Sequence, residues 1–405
     1  YPEGLPLAAM ARTILMVPPL FNVAPVVWLS GKAFAVPSLD EATARTLRDT
    51  KLALQAMYPG IAWSGEIVPN SVAPAVGPSG ASGAGRPTKL TLFSGGLDSV
   101  CTTLRHHAHK QLLVSVWGAD VGLDEESKWE YVAAWTRQHA EDFGHEAAFV
   151  RTNLRTFLNE DFLNSFGADI HNWWGGVQHG LGLTGITAPL AEAYGVPEVL
   201  IASSHSATFQ APWGSHPSID DHIAWGATHV SHDGYELTRM GKLAYCQDHC
   251  HTAEADPPVL RVCYSASSRS GENCCQCEKC LRTIAGLIVL GENPNDWGFS
   301  VSDEVAVERI RRGFGAKKFK LGANGVYMWQ DIQAWANREP EGPHVRRAAV
   351  PARGALLDWL AGVDFSSLLD SETARPTRAA QLKRFVKANF PRGVTLLRRL
   401  QRRPG

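Results

Sequence analysis

No single sign of charge dominates this chain. Across 405 residues, 39 Lys and Arg stand against 40 Asp and Glu, a net charge of −1, which excludes nucleic-acid or membrane binding driven by a whole-chain field. Nor is there an uninterrupted apolar run. The most apolar stretch, residues 14–30, is broken by Pro18, Pro19, Asn22 and Pro25, and no positive charge precedes Arg12. It reads as neither a signal peptide nor a membrane span. Without a secretory segment, the eight cysteines are expected to be reduced thiols or metal ligands in a cytoplasmic protein rather than disulfides. No internal repeat is visible. What the chain does have is 44% apolar residues, enough for a sizeable core in one large domain or several ordinary ones.

Composition divides the chain into four parts. Residues 1–68 read as an α+β extension, with a helix from Leu39 to Met57 that starts after Ser38 and carries Glu41 in its first turn. Residues 69–87, PNSVAPAVGPSGASGAGRP, are nearly all Pro, Gly, Ala and Ser and read as a linker. From 88 to about 300, short apolar runs at 90–93, 112–117, 147–150 and 199–203 alternate with helical patterns near 98–109, 127–143 and 184–194. That alternation predicts an α/β fold with a doubly wound parallel sheet. Residues 301–405 read as a helical extension. Its end, 373–405, holds ten Lys and Arg and no acid, a run expected to be a solvated helix and tail, or else a surface for RNA or another partner.

The stretch Ser94-Gly95-Gly96-Leu97-Asp98-Ser99 falls where the first of these strands ends and a helix begins, at the sheet edge where such folds bind ligands. Two glycines let backbone amides approach an anion, and the helix start adds its positive end. Ser94 and Ser99 offer hydroxyls, while Asp98 can cap the helix or sit beside a phosphate-bound Mg²⁺. Gly-Lys-Ser/Thr is missing here, so this is not a Walker loop.

Five of the eight cysteines lie between 263 and 280. Cys274, Cys277 and Cys280 are spaced C-x₂-C-x₂-C, and Cys263 stands eleven residues upstream, which offers four thiolates to a tetrahedral Zn²⁺. A closed four-cysteine site is structural, and in small modules zinc binding is worth roughly 10–16 kcal/mol. Cys275 could replace a neighbour. A second group, Cys246, His249, Cys250 and His251, reads as a polar loop more readily than as a metal site.

The glycine loop resembles the signature of the N-type ATP pyrophosphatases, the PP-loop family, which split ATP between its α and β phosphates and join AMP to an oxygen. With the cysteine pattern about 170 residues downstream, the layout is similar to that of the 7-cyano-7-deazaguanine synthase family. Cys263-Tyr264, the cysteine triplet with Cys275 at the family's glycine, Arg282, and 238–242 leading to Lys242 all fall where that family has corresponding residues. The resemblance, over about residues 88–290, implies that Ser94, Gly95, Gly96, Leu97, Asp98 and Ser99 hold pyrophosphate, with Asp98, Ser99 and Lys242 in catalysis. It also implies ATP and Mg²⁺, a structural Zn²⁺, and a deazaguanine carboxylate as the group activated for attack by ammonia.

Three stretches depart from the family pattern: Trp117-Gly118-Ala119-Asp120, Gly176-Val177-Gln178-His179-Gly180, and 214–221. All are on the acceptor side, which implies a changed nucleophile or partner. Longer relatives occur in bacterial anti-phage defence systems, and a protein partner from the same operon would then supply the amine. His205, His216, Asp220 and Asp221 follow the fourth strand and are candidates for a general base or for contacts to a base edge. Trp173 and Trp174 would stack on a planar base or pack in the core. A nucleotide sensor and a tRNA-modifying enzyme are the rival readings.

Overall fold

The structure, a computed structural model, describes residues 1–75, 77, 85–166, 170, 172–263, 271–316, 318–338 and 352–370. Residues 76 and 78–84 of the stretch read as a linker, Tyr264 and the basic tail lie outside the described residues. Ten strands are assigned within them: β1 (Ala33–Val36), β2 (Leu39–Asp40), β3 (Glu66–Pro69), β4 (Val72–Ala73), β5 (Lys89–Leu92), β6 (Gln111–Trp117), β7 (Glu146–Arg151), β8 (Glu198–Ala202), β9 (Ala224–Trp225) and β10 (Thr228–Asp233). The helices that matter below are α1 (Arg12–Ser30), α2 (Glu41–Met57), α3 (Leu97–Arg105), α4 (Glu126–Asp142), α5 (Glu160–Leu163), α6 (His179–Gly185), α7 (Ala188–Tyr194), α8 (Pro217–Asp220), α9 (Arg239–Ala253), α10 (Glu278–Leu290), α11 (Asp303–Gly315), α12 (Ala323–Ala336) and α13 (Arg353–Ala361).

The fold is mixed α/β with a parallel-dominated sheet, ordered β7-β6-β5-β8-β10-β9. Only the β9–β10 pair is antiparallel. The four strands expected from apolar runs are β5 to β8, each within two residues of its expected limits. Thr228–Asp233 was not expected, because THVSHD alternates too many polar residues for an apolar-run criterion.

Side-chain alternation divides the sheet between two cores. Leu112 and Val114 face one, with Ile14, Val17, Phe21 and Trp28 of α1 and Leu47 and Leu54 of α2. Leu113 faces the other, with Leu97, Val100 and Leu104 of α3, Met240 and Leu243 of α9, and apolar residues of α10 to α13. The N-terminal and C-terminal regions therefore each complete a core of the central sheet.

Several local expectations change. The 14–30 stretch is helical despite Pro18, Pro19 and Pro25. Each proline removes an amide from the ladder, and the helix persists because eight of its residues are buried against the rest of the protein. By length and composition it is the one described helix able to cross a bilayer, and 44% of its apolar window is buried within the protein. Helix α2 starts at Glu41 rather than Leu39. Asp40, not Ser38, is its cap, accepting from Thr43 N at 3.0 Å and from Thr43 Oγ1 at 2.6 Å. Val72–Ala73, inside the stretch read as a linker, pairs in parallel with Leu39–Asp40. The segment 245–252, expected as a loop, lies in α9, where Cys246 and Cys250 turn into the core one turn apart and His251 pairs with Glu292 at 3.2 Å.

Candidate active site and metal centre

Strand β5 has β6 on one side and β8 on the other, so chain order reverses at its carboxyl end, where α/β sheets open a crevice. A cleft lies there, about 820 Å³ including its open mouth, lined by the ends of β5, β6 and β8 and by Ser94, Asp98, Ser99, Asp120, Trp129, His179 and Arg261.

The glycine turn forms one wall. Gly95 has φ +77°, and a Cβ there would lie 2.4 Å from the Trp135 ring, so both backbone angle and space demand glycine. Ser94 N donates to Ser99 Oγ at 3.3 Å, Gly96 N to Ser94 Oγ at 3.3 Å, and Ser99 Oγ to Gly96 O at 3.1 Å. Gly96 is the N-cap of α3 and no side chain caps that helix. Its first-turn amides therefore remain oriented for an anion.

Asp98, free of the capping role, is instead the meeting point of cations. Lys242 Nζ donates to its Oδ1 at 3.0 Å and Arg239 Nη1 to its Oδ2 at 3.3 Å. Lys242 also donates to Ser203 O at the end of β8. Burial alone would raise the Asp98 carboxyl, but Lys242, Arg239 and Lys279 outweigh it and hold it at about 2. Thr238 caps α9, accepting from Gly241 N at 3.1 Å, which places Arg239 and Lys242 in that helix's first turn. From the C-terminal region, Asp331 accepts from Met240 N at 3.0 Å. On the far side of Asp98, a smaller cavity of about 250 Å³ is lined by Lys242, Arg239, His205, Asn324 and Tyr327.

The four sulfurs of Cys263, Cys274, Cys277 and Cys280 lie within 4.8 Å of one another, with Cys263–Cys277 and Cys274–Cys280 each 3.9 Å apart. A soft, closed set of four thiols on this scale could hold a Zn²⁺ ion. Cys280 N donates to Cys277 Sγ at 3.5 Å and Cys277 N to Cys274 Sγ at 3.3 Å. Hydrogen bonds from the Cys280 thiol and amide and from the Cys274 and Cys263 thiols, against the effect of burial, lower the Cys277 thiol towards the thiolate a metal needs. Cys275 is outside the cluster: it is 2% exposed, in a left-handed conformation at φ 51°, with Sγ directed at Asn273 O at 3.6 Å. It cannot replace either neighbour, and its backbone angle is one that glycine adopts without strain.

The cysteine segment also holds the glycine turn. Arg261, two residues before Cys263, donates its backbone N to Gly95 O at 2.8 Å and its guanidinium to Ser94 O at 2.7 and 3.1 Å. Cys277 is the N-cap of α10, whose first turn carries Lys279.

The remaining expected site residues divide. His205 lines the smaller cavity, edge-on to Trp213 at 5.2 Å, and burial lowers its imidazole to about 4. His216 is a helix cap, accepting from Ser218 N at 3.1 Å and touching Tyr235 OH at 3.1 Å. Asp220 is fully buried, held by Ser215 Oγ at 2.6 Å and His232 Nδ1 at 2.7 Å. Asp221 is exposed and accepts from His232 N at 2.8 Å. Trp173 and Trp174 are 0% and 8% exposed and pack in the core beneath α1; neither is among the described residues lining the cleft. Of the two expected alternatives, packing in the core is the one their burial fits.

Arg239, Lys279, Arg261 and His179 were not expected as site residues. Arg239 and His179 stood inside stretches compared with the family. Arg261 and Lys279 flank cysteines, and no spacing rule connects them to a loop some 170 residues away. No family model matches this chain, and neither does any curated protein or solved structure.

Proposed function

We propose that the chain is a PP-loop enzyme that adenylates the carboxylate of a 7-deazaguanine and passes the activated acyl group to an amine. The observation that carries this reading is the charge arrangement at Asp98. One carboxylate faces Lys242, Arg239 and Lys279, beside a glycine turn and an uncapped helix start. Lys242 and Arg239 against the Asp98 carboxylate, with Lys279 brought down to about 7 mainly by burial, concentrate positive charge at the turn in a partly dry site, and a polyphosphate supplies balancing charge.

In the reaction, a carboxylate oxygen of the deazaguanine bonds to the α-phosphorus of ATP. The bond from that phosphorus to the bridging oxygen breaks, and pyrophosphate leaves with the electron pair. The first-turn amides of α3 and the Ser94 and Ser99 hydroxyls donate to the pyrophosphate oxygens, while Lys242 and Arg239 counter its growing charge. Asp98 orients both cations and, with phosphate oxygens, would hold Mg²⁺. That ion, when bound, neutralises part of the phosphate charge. A zinc in the cysteine cluster would keep Arg261 positioned against Ser94 and Gly95.

Isotope exchange between pyrophosphate and ATP, measured with 7-carboxy-7-deazaguanine, tests the reading. Exchange that requires the carboxylated base supports it, and exchange absent at saturating ATP and Mg²⁺ overturns it. Intact-mass analysis of products and of proteins encoded beside this one then identifies the amine: an amide or nitrile of the free base points to ammonia, and a mass adduct on a neighbour points to a partner protein.

A further inference from the structure

We propose that His179 is the general base that takes the proton from the attacking amine in the acyl-transfer half of the reaction. This inference rests on the adenylation reading above.

Among the described residues lining the cleft, His179 is the single imidazole. Of the cleft's carboxylates, Asp98 is committed to Lys242 and Arg239. Asp120 lies near the imidazole and would stabilise it once protonated. His179 opens α6 directly after a π-helical turn, Trp174–Gln178, a local irregularity that often accompanies functional positions. Its ring is wedged between Trp174, edge-on at 5.1 Å, and Trp213 at 5.8 Å. Nδ1 is buried with no hydrogen-bond partner, so the ring at the cleft wall keeps unused hydrogen-bonding capacity.

The surroundings suit a proton acceptor. Burial lowers the imidazole's proton affinity, Arg155 and His232 act in the same direction, and the Asp120 and Asp220 carboxylates oppose them. The resting ring is neutral, and the two carboxylates stabilise the imidazolium once it forms.

The step balances without another reactant. The amine nitrogen bonds to the acyl carbon, the carbon–oxygen bond to the adenylate phosphate breaks with its electron pair going to AMP, and the surplus N–H proton moves to His179. Amide, AMP and imidazolium result.

Two measurements on one variant separate this role from nucleotide binding. His179→Gln is expected to retain pyrophosphate–ATP exchange within about twofold while transfer to ammonium chloride falls about 10²-fold. The residual transfer should lose the pH limb set by an imidazole, and free imidazole should restore transfer in His179→Ala. Unchanged transfer in His179→Gln overturns the inference, as does a parallel loss of exchange and transfer or a failure of imidazole to rescue His179→Ala. Wild-type protein without exchange overturns the adenylation reading and this inference with it, whereas intact exchange with intact transfer in His179→Gln overturns the inference alone.

Discussion

Lys242 Nζ lies 3.0 Å from Asp98 Oδ1, bridging 144 positions of sequence and fastening the first turn of α9 to the first turn of α3. Both residues lie in the first turn of their helices, so the contact fixes the two helix starts against each other at the mouth of the cleft. Lys242 is 3% exposed and Asp98 26%, which leaves the carboxylate reachable from the ligand side and the ammonium enclosed.

Replacing Asp98 by Asn should therefore act twice. Pyrophosphate–ATP exchange is expected to fall on the order of 10²–10³-fold, the scale of losing a group that orients transition-state charge. Stability should change with pH as well. The carboxyl sits at about 2 against an ordinary 3.8, so its contribution, about 2 kcal/mol, is complete above about pH 4 and is lost as pH falls towards 2. Urea midpoints of wild type and Asp98→Asn should converge over that window; a gap constant with pH contradicts the ion-pair assignment.

Gly95→Ala is expected to disrupt the glycine turn more than its size suggests. A non-glycine residue at φ +77° costs on the order of 1–3 kcal/mol, and the new methyl meets the Trp135 ring at 2.4 Å. ATP binding, followed by tryptophan fluorescence, should be lost. Adding Trp135→Ala should recover part of the melting temperature and little of the binding, because the backbone angle stays strained.

The cysteine cluster and its neighbour should behave differently. Cys277→Ser is expected to lose bound zinc by elemental analysis and to weaken ATP binding through Arg261, whose amide and guanidinium hold Gly95 and Ser94. Cys275→Gly should retain zinc in full, since Cys275 lies outside the cluster and in a glycine-type conformation. Zinc lost in Cys275→Gly and kept in Cys277→Ser would reverse the ligand assignment.

His139 gives a second pH dependence, of opposite origin to that of Asp98. It is 4% exposed, stacked on Phe93 at 4.8 Å, with Nε2 unpartnered, and burial lowers it from 6.5 to about 4. The unfolded chain takes up its proton below about pH 6.5 and the folded one only near 4. Stability from this site is thus fully present above 6.5 and falls, by on the order of 2–3 kcal/mol, as pH drops to 4. His139→Phe should flatten the urea midpoint across that range; an unchanged slope rules out this source.

The readable parts of this protein were those encoded by short-range pattern. Four strands were legible because their runs are mostly apolar, the glycine turn because only glycine tolerates its angles without strain, and the cysteine cluster because ligands able to share one tetrahedral ion have a characteristic spacing. Helix α1 was not legible, since Pro18, Pro19 and Pro25 argue against a helix locally and burial against the sheet decides for it. The tryptophan pair at 173 and 174 was equally ambiguous, because core packing and base stacking require the same side chain.

By itself, the sequence determined which residues make a glycine turn and which cysteines could hold a soft metal, because backbone angle and ligand chemistry are properties of a few adjacent residues. Only the tertiary structure decided that Lys242 and Arg239 converge on Asp98, that Arg261 ties the cysteine segment to the turn, and that His179 shares its cleft. Those are contacts between helices and loops distant in sequence, and they exist because two separate cores press the chain's outer regions onto opposite faces of one sheet.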